Sequence, residues 1–119
     1  MSTLRVNTLQ TQAGVEVYTA KAWVNFNGTG TVAIRGAGNV SSITDNGTGD
    51  YTINFTVAMV DANYAAMGCF QFDQGGATAA GVFLQINRTA QTTSAVRVTT
   101  STGTGVVYDG TTITVAVFR

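Results

Sequence analysis

Apolar residues in this chain recur at every second position, and no window shows convincing helical spacing. Tyr51, Ile53, Phe55 and Val57 alternate with Thr52, Asn54 and Thr56, and Val82, Leu84 and Ile86 alternate with Phe83, Gln85 and Asn87. Val96 and Val98 flank Arg97, while Ile113, Val115 and Val117 alternate with Thr114 and Ala116. Successive strand side chains point to opposite faces, so each series marks one buried and one exposed face. Turn chemistry separates the series at Asn27-Gly28, Gly36 to Gly38, Asn46-Gly47, Gly75-Gly76, Gly103 to Gly105 and Asp109-Gly110. Asn-Gly and Asp-Gly accept the positive φ that tight hairpins require. The pattern predicts an all-β fold, an antiparallel β-sandwich of jelly-roll-like or barrel-like form. Residues 21–55 read as strand, turn, strand, turn, strand, with Asp45 to Asp50 as the clearest hairpin tip.

A length of 119 residues predicts one domain with a real but modest core. Residues 1–20 differ from the rest. Leu4, Val6 and Leu9, then Val15 and Val17, form two short extended pieces around Gly14, too short for a domain and too apolar for a free tail. They are expected to be an N-terminal attachment or oligomerisation arm, with the β-sandwich domain covering 21–119. The chain has no proline, so the usual Pro guards on sheet edges are missing and the edges need other cover.

Only 10% of residues are charged, against a usual ~25%, and the formal net charge is zero. With no basic field to attract phosphate, nucleic acid is not an expected partner. A neutral, sparsely charged monomer is poorly protected against self-association, so part of the surface is expected to be occupied by copies of the chain. Strand alternation also places three large aromatics on nominally polar faces. Trp23 falls opposite Val24 and Phe26, Phe83 opposite Val82 and Leu84, and Phe118 opposite Val117. Grouped together they would mark an interface; otherwise both faces of their strands are covered within one chain. The expected interface residues are therefore Leu4, Val6, Leu9, Val15, Val17, Trp23, Phe83 and Phe118.

Catalytic and metal chemistry find little support. Without histidine, Ser-His-Asp and Cys-His mechanisms and most zinc constellations are excluded. No run has the Gly-Lys-Ser/Thr ending of a phosphate-cradling loop. Asp45, Asp50, Asp61, Asp73 and Asp109 lie near turns, where aspartate stabilises the backbone by its own hydrogen bonds. TDNGTGD offers oxygen ligands but lacks the acidic spacing of a calcium loop. No catalytic residue, cofactor or metal is expected. Asn27, Asn39, Asn46, Asn54 and Asn87 each open an N-glycosylation triplet, which abundant Thr and Asn generate by chance. The opening MSTLRVNTLQTQ has no long apolar h-region, and no apolar run approaches the ~18 residues of a membrane helix, so neither that export route nor membrane insertion is expected. Cys69, the one cysteine, sits in the apolar run MGCFQF and reads as a small buried hydrophobe.

KAWVNFNGTGTVAIR, followed by NVSSITDNGTGDYTINF and then DANYAAMG, resembles a module recurrent in tail-fibre-type proteins of tailed bacteriophages. The resemblance runs from Lys21 to about Tyr64, and STLRVNTLQT and ITVAVFR are similar to the openings and endings of such proteins. Residues 65–110 carry no motif of the family. The resemblance implies a virion structural protein assembled in the host cytoplasm, usually homotrimeric, associated with other virion proteins and contacting the host surface, where a glycan is one candidate partner. It carries over no catalytic residues. The alternative expectation is a capsid decoration or head-fibre protein.

Overall fold

The alternating runs fold into strands whose residue pattern decides which side faces in. A computed structural model describes residues 8–71 and 82–119. Its strands are β1 (Ala22–Asn27), β2 (Ala33–Gly38), β3 (Val40–Gly47), β4 (Asp50–Phe55), β5 (Ala65–Gln71), β6 (Val82–Ile86), β7 (Ala95–Thr102) and β8 (Thr112–Phe118). They form two four-stranded antiparallel sheets, ordered β2-β1-β8-β5 and β3-β4-β7-β6. The fold is an all-β sandwich. Among the described residues no ladder of paired strands joins the two sheets. Leu4, Val6, Asp73 and the Gly75-Gly76 turn lie outside the described residues.

The inner faces carry the predicted series. Val24 and Phe26 on β1 and Ile113, Val115 and Val117 on β8 meet Tyr51, Ile53 and Phe55 on β4 and Val96 and Val98 on β7, all buried. Each fully buried aliphatic side chain contributes about 1.5–3 kcal/mol relative to exposure. Phe26 and Tyr51 meet edge-on across the sheets, with ring centroids 5.3 Å apart and planes at 73°. That geometry sets the positive edge of one ring against the negative face of the other. Val57 departs from the alternation: it lies past the end of β4 and is 67% exposed.

Residues 21–55 contain four strands, one more than the sequence pattern predicts. Gly36 to Gly38 is not a turn but the second half of β2, and the chain changes sheets at Asn39. Asn39 has φ +54, a left-handed conformation that Asn tolerates better than most residues. Its side chain ties the corner together. Nδ2 donates to Lys21 O and Val57 O, both at 3.0 Å, and Oδ1 accepts from Val57 N at 2.7 Å. This asparagine opens one of the glycosylation triplets, yet its amide is committed to holding the corner.

Two tyrosines fasten the ends of the sandwich. The Tyr51 hydroxyl lies 2.7 Å from Asp109 Oδ1 and 2.9 Å from Gly28 O, and the same Asp109 oxygen accepts from Gly49 N at 2.8 Å. The β1–β2, β3–β4 and β7–β8 connections thus meet at one point. At the other end the Tyr64 hydroxyl lies 2.9 Å from both Thr92 O and Ala95 O, and Gln91 Nε2 donates to Ala62 O and Tyr64 O.

Asn39→Ala removes three hydrogen bonds and leaves a Cβ residue in the left-handed region. It should lower unfolding free energy by about 2–4 kcal/mol in a urea titration. Asn39→Gly, which relieves only the backbone part, should lose less.

Candidate functional site: two unlike outer faces

With the core buried, the two outward sheet faces are candidate functional surfaces, and they differ in kind. On the β2-β1-β8-β5 sheet the register lines up Gly38, Trp23, Ala116 and Met67 across the four strands. Trp23 is 47% and Met67 60% exposed. Ala116 forms the floor of a groove of about 560 Å³ between these two side chains. The indole lies over β2, where only glycine leaves room. A Cβ at Gly38 would collide with Trp23 Nε1, and one at Gly36 would sit 3.3 Å from Cη2. The next row is Gly36, Asn25, Thr114 and Cys69, and on the far side lie Lys21, Phe118 and Ala65. Arg35 closes the polar end of this face, its guanidinium reaching Asn25 Oδ1 at 3.3 Å and Thr111 O at 2.6 Å.

The outer face of β3-β4-β7-β6 is a carpet of hydroxyls and amides. Asn54 Nδ2 donates to Ser42 Oγ and Thr44 Oγ1, and Asn46 Nδ2 donates to Thr52 Oγ1 at 2.8 Å. Its charge is an ion pair: Arg97 meets both oxygens of Asp50, at 2.8 and 2.5 Å. Hydrogen bonding to Arg97 holds the Asp50 carboxyl below its ordinary range.

The interface residues expected from sequence divide among three places. Trp23 and Phe118 share the first sheet's outer face, in neighbouring rows. Phe83 does not join them; it points outward from β6 on the opposite sheet, because β6 pairs with β7. Leu9, Val15 and Val17 lie in the arm, which folds into a small hairpin around Gly14, with Val17 N donating to Leu9 O at 2.7 Å and Thr11 N to Val15 O at 2.8 Å. Leu9 and Val17 line a cleft with Phe118. Cys69 corrects the expectation of burial. Phe70 pairs with Ile113 and takes the inward position, so Cys69 is exposed on the Trp23 face, its sulfur 3.3 Å from Thr114 Oγ1.

The sequence places Ala116 on the outward side of its strand but gives no sign of Met67. Met67 follows two alanines and precedes a glycine, so the run shows no alternation, and only the register with β8 brings it opposite Trp23.

Three of the aspartates considered for chemistry are held by partners. Asp50 pairs with Arg97, Asp109 receives Tyr51 and Gly49, and Asp61 makes a bidentate pair with Arg119 at 2.8 and 2.6 Å. The Arg119 guanidinium pulls the Asp61 carboxyl down to about 2. Asp45 Oδ1 accepts from Gly47 N within its own turn. Among the described residues no cluster of three His, Cys, Asp or Glu side chains is arranged to hold a metal ion. No described helix is long and apolar enough to cross a membrane. No family model, no curated protein and no solved structure matches the chain.

The end tyrosines make stability sensitive to alkali. Burial pushes the Tyr64 phenol up to about 12, and burial followed by the Asp109 carboxylate pushes Tyr51 up as well. Both are raised above the ordinary value of 10.0, so their contribution is complete below pH 10 and is lost as pH rises through the folded values. Thermal melts should show a midpoint falling steadily above pH 10, and Tyr51→Phe combined with Tyr64→Phe should flatten that fall. An equally steep fall in the double variant would contradict the assignment.

Proposed function

We propose that this chain is a structural, non-enzymatic subunit of a bacteriophage virion. Our reading is a homo-oligomeric, trimeric tail-fibre or tail-appendage component that is displayed on the particle and contacts the host surface. The observation that carries the assembling role is the contiguous apolar row of Trp23, Ala116 and Met67 on a sheet face with little charge, in which exposed Trp23 and Met67 flank half-buried Ala116. Large exposed apolar patches rimmed by polar residues favour burial against a partner. A second copy suits this patch, because a neutral chain meets no like-charge repulsion from itself. The phage assignment rests on the resemblance of residues 21–64 to tail-fibre modules. The arm, whose Leu9 and Val17 border Phe118, would attach the subunit to its neighbours or to other virion proteins.

A capsid decoration role is the second reading, in keeping with a described body made of two packed four-stranded sheets. Imaging of labelled protein on intact particles separates the two. Tail positions are expected; many copies spread over the head would establish the decoration role, and absence from purified particles would overturn both.

Trp23→Lys and Met67→Lys place charge on the groove walls without touching the core. Each should shift native mass from oligomer toward monomer while leaving the circular dichroism spectrum unchanged. Assembly that persists in both would show that copies meet elsewhere.

A further inference from the structure

At one end of the polar sheet, the carpet of hydroxyls is interrupted by an aromatic ring. Phe83 is 52% exposed on β6, directly across from Ser101 on β7, and the neighbouring pair on the same face is Gln85 with Thr99. Beyond Ser101, where β4 has ended, the chain returns and Val107 bridges to Ser101 on the other side. The result is a trough of about 360 Å³ with Phe83 and Val107 as walls. Such a volume lies at the small end of the ~300–1,000 Å³ range of small-molecule clefts. Among the described residues, no protein group hydrogen-bonds the side chains of Gln85, Thr99 or Ser101. Elsewhere on this face Ser42, Thr44, Asn46, Thr52 and Asn54 bond one another.

We infer that this trough is a binding site for a neutral saccharide unit, with Phe83 as the stacking platform and Gln85, Thr99 and Ser101 as the hydroxyl readers. This deepens the host-contact part of the proposed function and rests on it for biological meaning. The chemistry selects the ligand. A pyranose has a face of C–H groups bearing slight positive charge, which suits the negative face of an aromatic ring. Its hydroxyls both donate and accept, and an amide beside two hydroxyls offers both capacities at once. Among the described residues that line the trough none is charged, and Asp50 and Arg97 on the same sheet face are paired with each other, so nothing described there favours an anion or a cation. A purely apolar ligand would strand the three polar groups.

Amide chemical shifts of the isotopically labelled full chain test the site, with the methyl glycosides of glucose, galactose, mannose, rhamnose and N-acetylglucosamine as probes. For at least one glycoside we expect saturable shifts confined to β6, the second half of β7 and residues 102–107, with Kd about 1–10 mM. Phe83→Ala and Gln85→Ala should each weaken binding about tenfold or more, and Phe83→Leu should lose nearly as much as Ala because it keeps apolar bulk without a ring. Val60→Ala, at an exposed position that does not line the trough, should bind as the parent does. The proposal is overturned if no probe shifts these residues, if shifts map to the Trp23 face, or if Phe83→Leu retains full affinity. Because binding is measured on the isolated protein, a negative result here leaves the particle-location experiment to judge the virion role separately.

Discussion

Period-two alternation constrains this molecule more than any single contact. Once a strand commits one set of side chains to the core, the other set must face outward, and a two-sheet sandwich has two such outward faces. The inner positions are nearly all Val, Ile, Phe and Tyr. The outward positions are free to differ, and they do: Trp23, Ala116 and Met67 on one sheet, Ser42, Thr44, Thr52 and Asn54 on the other. A slip of one residue in β1 would exchange Trp23 for Val24 and destroy core and surface together. Core packing and surface character are therefore fixed by the same register.

The scarcity of charge is matched by how the ends are held. A sandwich needs its inter-sheet connections fastened, and here neutral groups dominate the fastening. Asn39, Tyr64 and Gln91 make short hydrogen bonds to backbone oxygens 18 to 31 residues away, and Tyr51 adds one shared between Gly28 and Asp109. No buried side-chain nitrogen or oxygen among the described residues lacks a partner. Neutral hydrogen bonds lose less to salt screening than exposed ion pairs do. A particle protein exposed to variable salt would gain from such a design, which is how the composition and the proposed role fit one another.

Strand faces are legible from sequence because alternation is a local property: β1, β4, β7 and β8 turn the expected sides inward, and β6 does so at Leu84 and Ile86, while Val82 at its start stays exposed. Failures occurred where one residue type serves two purposes. Gly36 and Gly38 look like turn residues, but here they clear space for an indole arriving from the next strand. Asn39 reads as one of several chance triplets, and nothing local signals the left-handed backbone and three hydrogen bonds that make it the corner between sheets. Cys69 and Met67 sit in a run too uniformly apolar to show its period. The grouping of Trp23 with Met67, and the separation of Phe83 from both, depend on strand order, which no local pattern encodes.

The central claim is that the Trp23 face is completed by identical neighbours. Sedimentation equilibrium of the purified chain in native buffer addresses it most directly. The account predicts a mass that is a whole-number multiple of 12.3 kDa, three-fold for the trimer, and little changed by added salt because an apolar contact is not screened. A single species of 12.3 kDa that persists at high protein concentration would contradict it.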